Sequence, residues 1–259
     1  MTLSYVSLLL GLLLLIVPGY MLYAYDRLTL RHALLSLVRM TVQLTVMGGC
    51  LWALFRFDSV WLNLLWVVVL VLATTFIVVS RTRIRSRVLF LPVCLATLVS
   101  VILVSFYVLW AVLRPESPMA ARWLVPVSGV LTAHVMTTNI HALRTYFDSL
   151  TQNSQPYYTL LGNGATRLQA LAPYITRALK SLLTPAFANM SALGLFVMPM
   201  LLSGMLLGGM GPVEAVAVYI LLIVAGITAS IVALFGALWL SDRKVFNKQG
   251  SLTNVFLAD

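Results

Sequence analysis

Few residues in this chain could do chemistry. His134, Thr138 and His141 stand at i, i+4 and i+7 in an otherwise apolar stretch, so a helix there carries all three on one face. Imidazole nitrogens ligate several transition metals, which makes His134 and His141 a candidate metal site. Two histidines alone on a helix serve more often as hydrogen-bonding or packing groups, and that reading is preferred. Arg39 and Gln43 lie one turn apart in another apolar stretch; a long cation there either snorkels to a polar boundary or faces a helix-bundle interior. Met198, Met200, Met205 and Met210 offer thioethers, read here as packing groups rather than ligands for a soft metal. Ser128 and Ser203 lack the glycine two residues earlier that an intramembrane serine nucleophile of the rhomboid type would have. No GxxxxGK[ST], HExxH or EF-hand spacing occurs. An enzyme is therefore not expected, and if ATP is used, a separate subunit must hold it.

The elements that position these residues follow from composition. The chain has 259 residues, 61% hydrophobic and 9% charged, with mean hydropathy +0.99. A soluble domain carries about 25% charged residues, so much of this chain must have lipid as its solvent. The net charge of +10 does not point to nucleic acid, because no soluble basic domain is present to present a basic face. Cys50 and Cys94 both fall in apolar runs and read as small packing residues.

A helix needs ~20 mainly apolar residues to cross ~30 Å of hydrocarbon. Seven stretches meet or approach this, at about 3–25, 34–55, 60–80, 88–113, 123–143, 188–210 and 214–240. The first has no cation before it and Arg27 and Arg31 after it. This is the reverse of a secretory signal, so it is expected to be a true span. The runs lack the dyad alternation of a barrel strand, so helices are expected. Fourteen of the seventeen Lys and Arg residues fall on one side of this arrangement, including all four arginines of SRTRIRSR at 80–87, and only Arg56, Arg114 and Arg122 on the other. The positive-inside bias places the N-terminus outside and the C-terminus inside. The expectation is an all-α, multi-pass membrane protein of one domain, 1–259, in the cytoplasmic (inner) membrane. Gly204 and Gly208 form a GxxxG, and Gly226, Ser230, Ala233 and Ala237 a smooth strip; both faces suit close helix approach, within the chain or across a dimer. Pro199 is expected to kink the sixth span.

One inside connection, about 144–187, is far longer than the others. Within GNGATRLQALAPYITRALKSLLTP (162–185), Leu168, Leu171, Ala172, Ile175, Leu179, Leu182 and Leu183 form an apolar stripe, with Arg167, Thr176, Arg177, Lys180 and Ser181 opposite. Pro173 predicts a break between a short helix beginning near Ala165 and a second one running through Pro185 into the sixth span. Gly162 and Gly164 permit a sharp turn before it. By pattern alone this is a basic amphipathic helix, lying on the membrane surface or docking into a partner's groove.

The residues of this segment resemble a known family. Gly164-Ala165-Thr166 followed by Gln169-Ala170 is similar to the GAT/S-x-x-Q-A segment of ABC transporter permeases, where a coupling helix fits a groove on the ATPase. Over most of its length the chain resembles the FetB-type, iron-export permeases, whose plant relatives are tied to aluminium tolerance. RMTVQLTVMG (39–48), VPVSGVLTAH (125–134), ITRALKSLLTP (175–185) and GLFVMPMLLSGMLLGGMGPVEA (194–215) follow the family's patterns in order. Polar positions depart from it: Ala188 and Ser191 stand where the family has Asp and Lys, His134 replaces an Asn, Met200 replaces a Gly, and Tyr157-Tyr158-Thr159 occupies a usually acidic place. The permease role therefore carries over further than the iron substrate. The resemblance implies a permease subunit that pairs with itself and with cytoplasmic ATPases holding ATP and Mg. Gly164, Ala165, Thr166, Arg167, Gln169 and Ala170 would dock the ATPase, and Arg39, Gln43, His134, Thr138, Pro199 and Ser203 would line a path for an exported metal ion or small polar solute. A stand-alone secondary carrier would need acidic coupling residues at mid-membrane, and none of the seven acids lies there. A non-transporting membrane scaffold is the third reading.

Overall fold

The computed structural model describes residues 13, 16–25, 27–82, 86–196 and 200–245. Every long element among them is an α-helix: α1 (Ile16–Tyr25), α2 (Arg27–Phe57), α3 (Val60–Arg81), α4 (Ser86–Phe106), α5 (Ala121–Gln152), α6 (Gln155–Gly162), α7 (Arg167–Phe196), α8 (Met200–Leu207) and α9 (Pro212–Val245). A π-helical stretch, Tyr107–Leu113, prolongs α4 and ends at Arg114, whose φ of 45° is left-handed. Helices are what apolar solvent demands, since each satisfies its own backbone N–H and C=O groups. Four of them, Arg31–Phe57, Val60–Arg81, Leu89–Leu113 and Pro212–Asp242, are long and apolar enough to cross a membrane. The expected fifth span is the first two-thirds of α5, whose polar face lowers its hydropathy. The expected sixth is divided between the end of α7 and α8. Pro199 and its expected kink lie outside the described residues, as does most of the expected first span.

The chain falls into two compact units, residues 1–57 and 58–259. In the first, α2 carries large apolar side chains such as Leu34, Leu44 and Trp52 exposed along its length. Such a surface is costly in water and neutral in lipid. In the second unit α5 is the central helix. Its N-terminal half packs Leu131 and Val135 against Val67 and Val71 of α3, Val101 of α4 and Leu222 of α9. Its C-terminal half packs Leu143, Phe147 and Leu150 against Leu171, Tyr174 and Leu182 of α7. The start of α5 is held by Asp58, whose Oδ1 accepts from the Ala121 N–H at 2.6 Å and from Asn63 Nδ2 at 3.2 Å. The small strip of α9 meets neighbours in the chain. A Cβ on Gly236 would lie 3.1 Å from the Ala96 Cβ of α4, and Ser100 of α4 donates to the Ala229 carbonyl. Those contacts bring the two backbones together, and Ser230 satisfies its buried hydroxyl on the Gly226 carbonyl at 2.8 Å.

The long inside segment corrects the sequence reading in three respects. First, helix extends well beyond the stretch where it was expected: α5 runs on to Gln152, α6 follows, and α7 begins at Arg167 after a turn in which Gly164 has φ 85°. Second, Pro173 does not break α7. It lies in the second turn with an exposed surface. The bond it removes would have used the carbonyl of exposed Gln169, which water can satisfy. Third, the buried stripe is rotated. Ala170, Leu171, Tyr174, Ala178 and Leu182 are buried, while Ala172 is exposed and Leu168 is 73% exposed.

Candidate functional site

Both α7 and α9 pack on α5, yet they scarcely touch one another. The gap is a cavity of ≈ 300 Å³, floored by His134, Thr138 and His141 of α5 and walled by Ser181 and Asn189 of α7 and Tyr219 of α9. Its size is at the lower end of small-molecule sites, ~300–1,000 Å³. Polar groups within membrane spans are expensive and face interiors or water-filled paths. The i, i+4, i+7 face predicted for His134, Thr138 and His141 is thus the face that lines the cavity. Ser181 and Asn189 are two turns apart on α7; the sequence reading set Ser181 on the polar side of its helix and did not single out Asn189. Tyr219 gave none, because phenols are common near span ends.

His134 is seated by the smallest residue available on α9. A Cβ on Gly226 would come within 2.7 Å of the ring's Cγ and Cδ2, closer than carbon atoms pack. Only glycine therefore lets the imidazole lie flat against α9. The Thr138 hydroxyl donates to the His134 carbonyl at 2.7 Å, Thr137 donates to the Ala133 carbonyl at 3.1 Å, and Ser181 donates to Ala178 at 2.8 Å. With their protons committed to the helix backbone, these three oxygens present lone pairs to the cavity. His134 and His141 are seven residues apart on one helix, about 10 Å along its axis, and no described group of three His, Cys, Asp or Glu residues is placed to hold a metal ion.

The other sequence candidates are dispersed. Arg39 and Gln43 are exposed on α2. Ser203 is half-buried on α8. Gly204 and Gly208 are exposed, and nothing lies within 4 Å of a Cβ built on Gly204; Gly204 borders a second, more apolar cavity of ≈ 380 Å³ with Trp123 and Met205. The docking candidates divide in two. Gly164, Thr166 and Gln169 are exposed and Ala165 half-buried at the head of α7, where Gln169 Oε1 accepts from the Thr166 N–H at 2.9 Å and stiffens the turn. Ala170 is buried. Arg167 turns inward, its guanidinium 3.1 Å from the Asp242 carboxylate and 3.2 Å from the Asp242 carbonyl at the end of α9. Burial raises the Tyr157 phenol above its usual range, and the Arg167 guanidinium beside it opposes that shift. So the usually acidic place before the GAT turn is filled here by a buried phenol on a cation.

Comparison with known proteins agrees with this architecture. A profile of the Uncharacterised protein family (UPF0014) matches residues 5–246. The UPF0014 membrane protein slr1647 of Synechocystis is 31% identical over 219 residues, covering 83% of each chain. The protein ALUMINUM SENSITIVE 3 of Arabidopsis thaliana is 29% identical over 143 residues, 55% of this chain and 52% of that one. The probable iron export permease protein FetB of Escherichia coli is 23% identical over 241 residues, 93% of this chain and 92% of its own. No solved structure matches. The helical chain, with its apolar spans and a family match running along almost all of it, belongs to the UPF0014 family of multi-pass membrane proteins.

Proposed function

We propose that this chain is the membrane-spanning permease subunit of an ABC transporter, powered by ATP hydrolysis on a separate cytoplasmic ATPase. It crosses the inner membrane seven times with its N-terminus outside, pairs with a second copy, and exports a metal ion or small polar solute; iron enters as cargo through the name of the Escherichia coli relative. ATP and Mg belong to the partner.

One observation carries the reading: the GATRLQA turn stands exposed at the head of a single helix, α7, whose later turns wall the polar cavity. Exposed Leu168 beside Thr166 and Gln169 offers a partner the apolar anchor that helix-in-groove docking uses. A push there travels along α7 without a break at Pro173 to Ser181 and Asn189. It travels also through Arg167 and Asp242 to the end of α9. Both walls of the cavity are then moved from one docking point, and α5 stays as the floor.

Co-purification with candidate ATPases tests this directly. Ala165→Glu and Leu168→Glu place a carboxylate at the docking turn and are expected to abolish ATPase recovery while the permease stays folded. Equal recovery with wild type and both variants would sink the docking assignment. ATP-dependent movement of iron into inverted vesicles is the measurement for the cargo.

A further inference from the structure

Among the described residues no acidic side chain lines the cavity between α5, α7 and α9, and from this we infer that it binds its cargo as an anion: a small hydroxycarboxylate, alone or wrapped around a metal ion. The inference rests on the permease reading above and names the form in which the cargo is held.

The charge of the lining decides the matter. Its titratable groups are His134 and His141 from α5 and Tyr219 from α9, and α7 contributes only Ser181 and Asn189 as polar side chains. None of these groups is an anion at physiological pH. Of the described acids, Asp58, Glu116, Asp148, Glu214 and Asp242, none lines it. A cation held here would find no counter-charge among the described lining residues. An anion meets the opposite setting, because the imidazole N–H groups, the Asn189 amide and the Tyr219 hydroxyl are donors there.

The hydrogen-bonding pattern selects the class of anion. Among the described residues, the two imidazole rings, the Asn189 amide and the Tyr219 hydroxyl make no hydrogen bond to other protein groups. They are donors available to carboxylate oxygens. Thr137, Thr138 and Ser181 have spent their protons on helix carbonyls, so their oxygens accept, as a ligand hydroxyl requires. Donors for carboxylates and acceptors for a hydroxyl, in ≈ 300 Å³, describe a hydroxycarboxylate.

The test uses the full chain in lipid nanodiscs without any ATPase, titrated calorimetrically with citrate, with the ferric citrate chelate and with Mn2+ alone. Citrate or its chelate is expected to bind with a saturable heat. Mn2+ alone is expected not to bind. Binding of the chelate but not of citrate identifies a wrapped metal; binding of both identifies the anion itself. His141→Ala and Asn189→Leu, which leave the His134–Gly226 contact untouched, should each weaken binding about tenfold or more, the worth of a hydrogen bond to a charged group. Binding of Mn2+ that these variants abolish, failure of both anions to bind, or anion binding unchanged in the variants would overturn the inference. Because no ATPase is present, such a failure leaves the docking result standing, and loss of ATPase docking leaves anion binding standing.

Discussion

Gly226 shows how one missing side chain determines a site. The His134 ring occupies the space where a Cβ would be, with two ring carbons 2.7 Å from that position. Gly226→Ala must push the ring, helix α5 or helix α9, and overpacking of this kind costs roughly 1–3 kcal/mol. The thermal unfolding midpoint of the variant in nanodiscs is expected to fall, and His134→Ala in the same chain to restore most of the loss, because removing the ring vacates the space. A double-mutant cycle measures this coupling. Additive effects of the two substitutions would show that the ring does not lie where it is described. In sequence, Gly226 was legible as part of a small-residue strip, and His134 as part of a polar face. That the two belong to one contact was not, since 92 positions of chain separate them and only the packing of α9 on α5 brings them together.

At the scale of elements, the Arg167–Asp242 pair joins the start of α7 to the end of α9. Both side chains are about one-third exposed, so water screens the pair and its share of stability is small, ~1 kcal/mol or less. Its consequence is expected in coupling rather than in folding. Arg167→Asp and Asp242→Arg should each reduce ATP-driven transport in reconstituted vesicles by about tenfold, the equivalent of ~1.4 kcal/mol, and the double charge swap should recover much of it. Single variants that transport like wild type would remove α9 from the transmission path. The sequence placed Arg167 on the solvent side of its helix because periodicity fixes spacing but not phase. A stripe containing Leu168 and one containing Ala170, Tyr174 and Ala178 have nearly the same period. The tertiary contact with Leu143, Phe147 and Leu150 chose the second. The continuity of α7 through Pro173 was illegible for a related reason: whether a lost backbone bond breaks a helix depends on whether water reaches the orphaned carbonyl.

For the whole molecule, the asymmetry of Lys and Arg between the two sides predicts the orientation in the membrane. With Cys50 and Cys94 replaced by alanine, Ser117→Cys, in the exposed turn before α5, should react with a membrane-impermeant maleimide on intact cells. Gln155→Cys, at the start of α6, should react only after permeabilisation. The reverse pattern would invert the topology and place the GAT turn away from any cytoplasmic ATPase.

Composition and hydropathy by themselves determined that lipid is the solvent and that the regular structure is helical, because these depend on local sequence and on the cost of unsatisfied backbone in hydrocarbon. The ordered motifs were enough to indicate the family. The cavity, the set of described side chains that line it, and the inward turn of Arg167 were decided by tertiary structure alone. They depend on which faces of α5, α7 and α9 meet, and that is settled by side-chain volumes at contacts distant in sequence, down to the absent Cβ of Gly226.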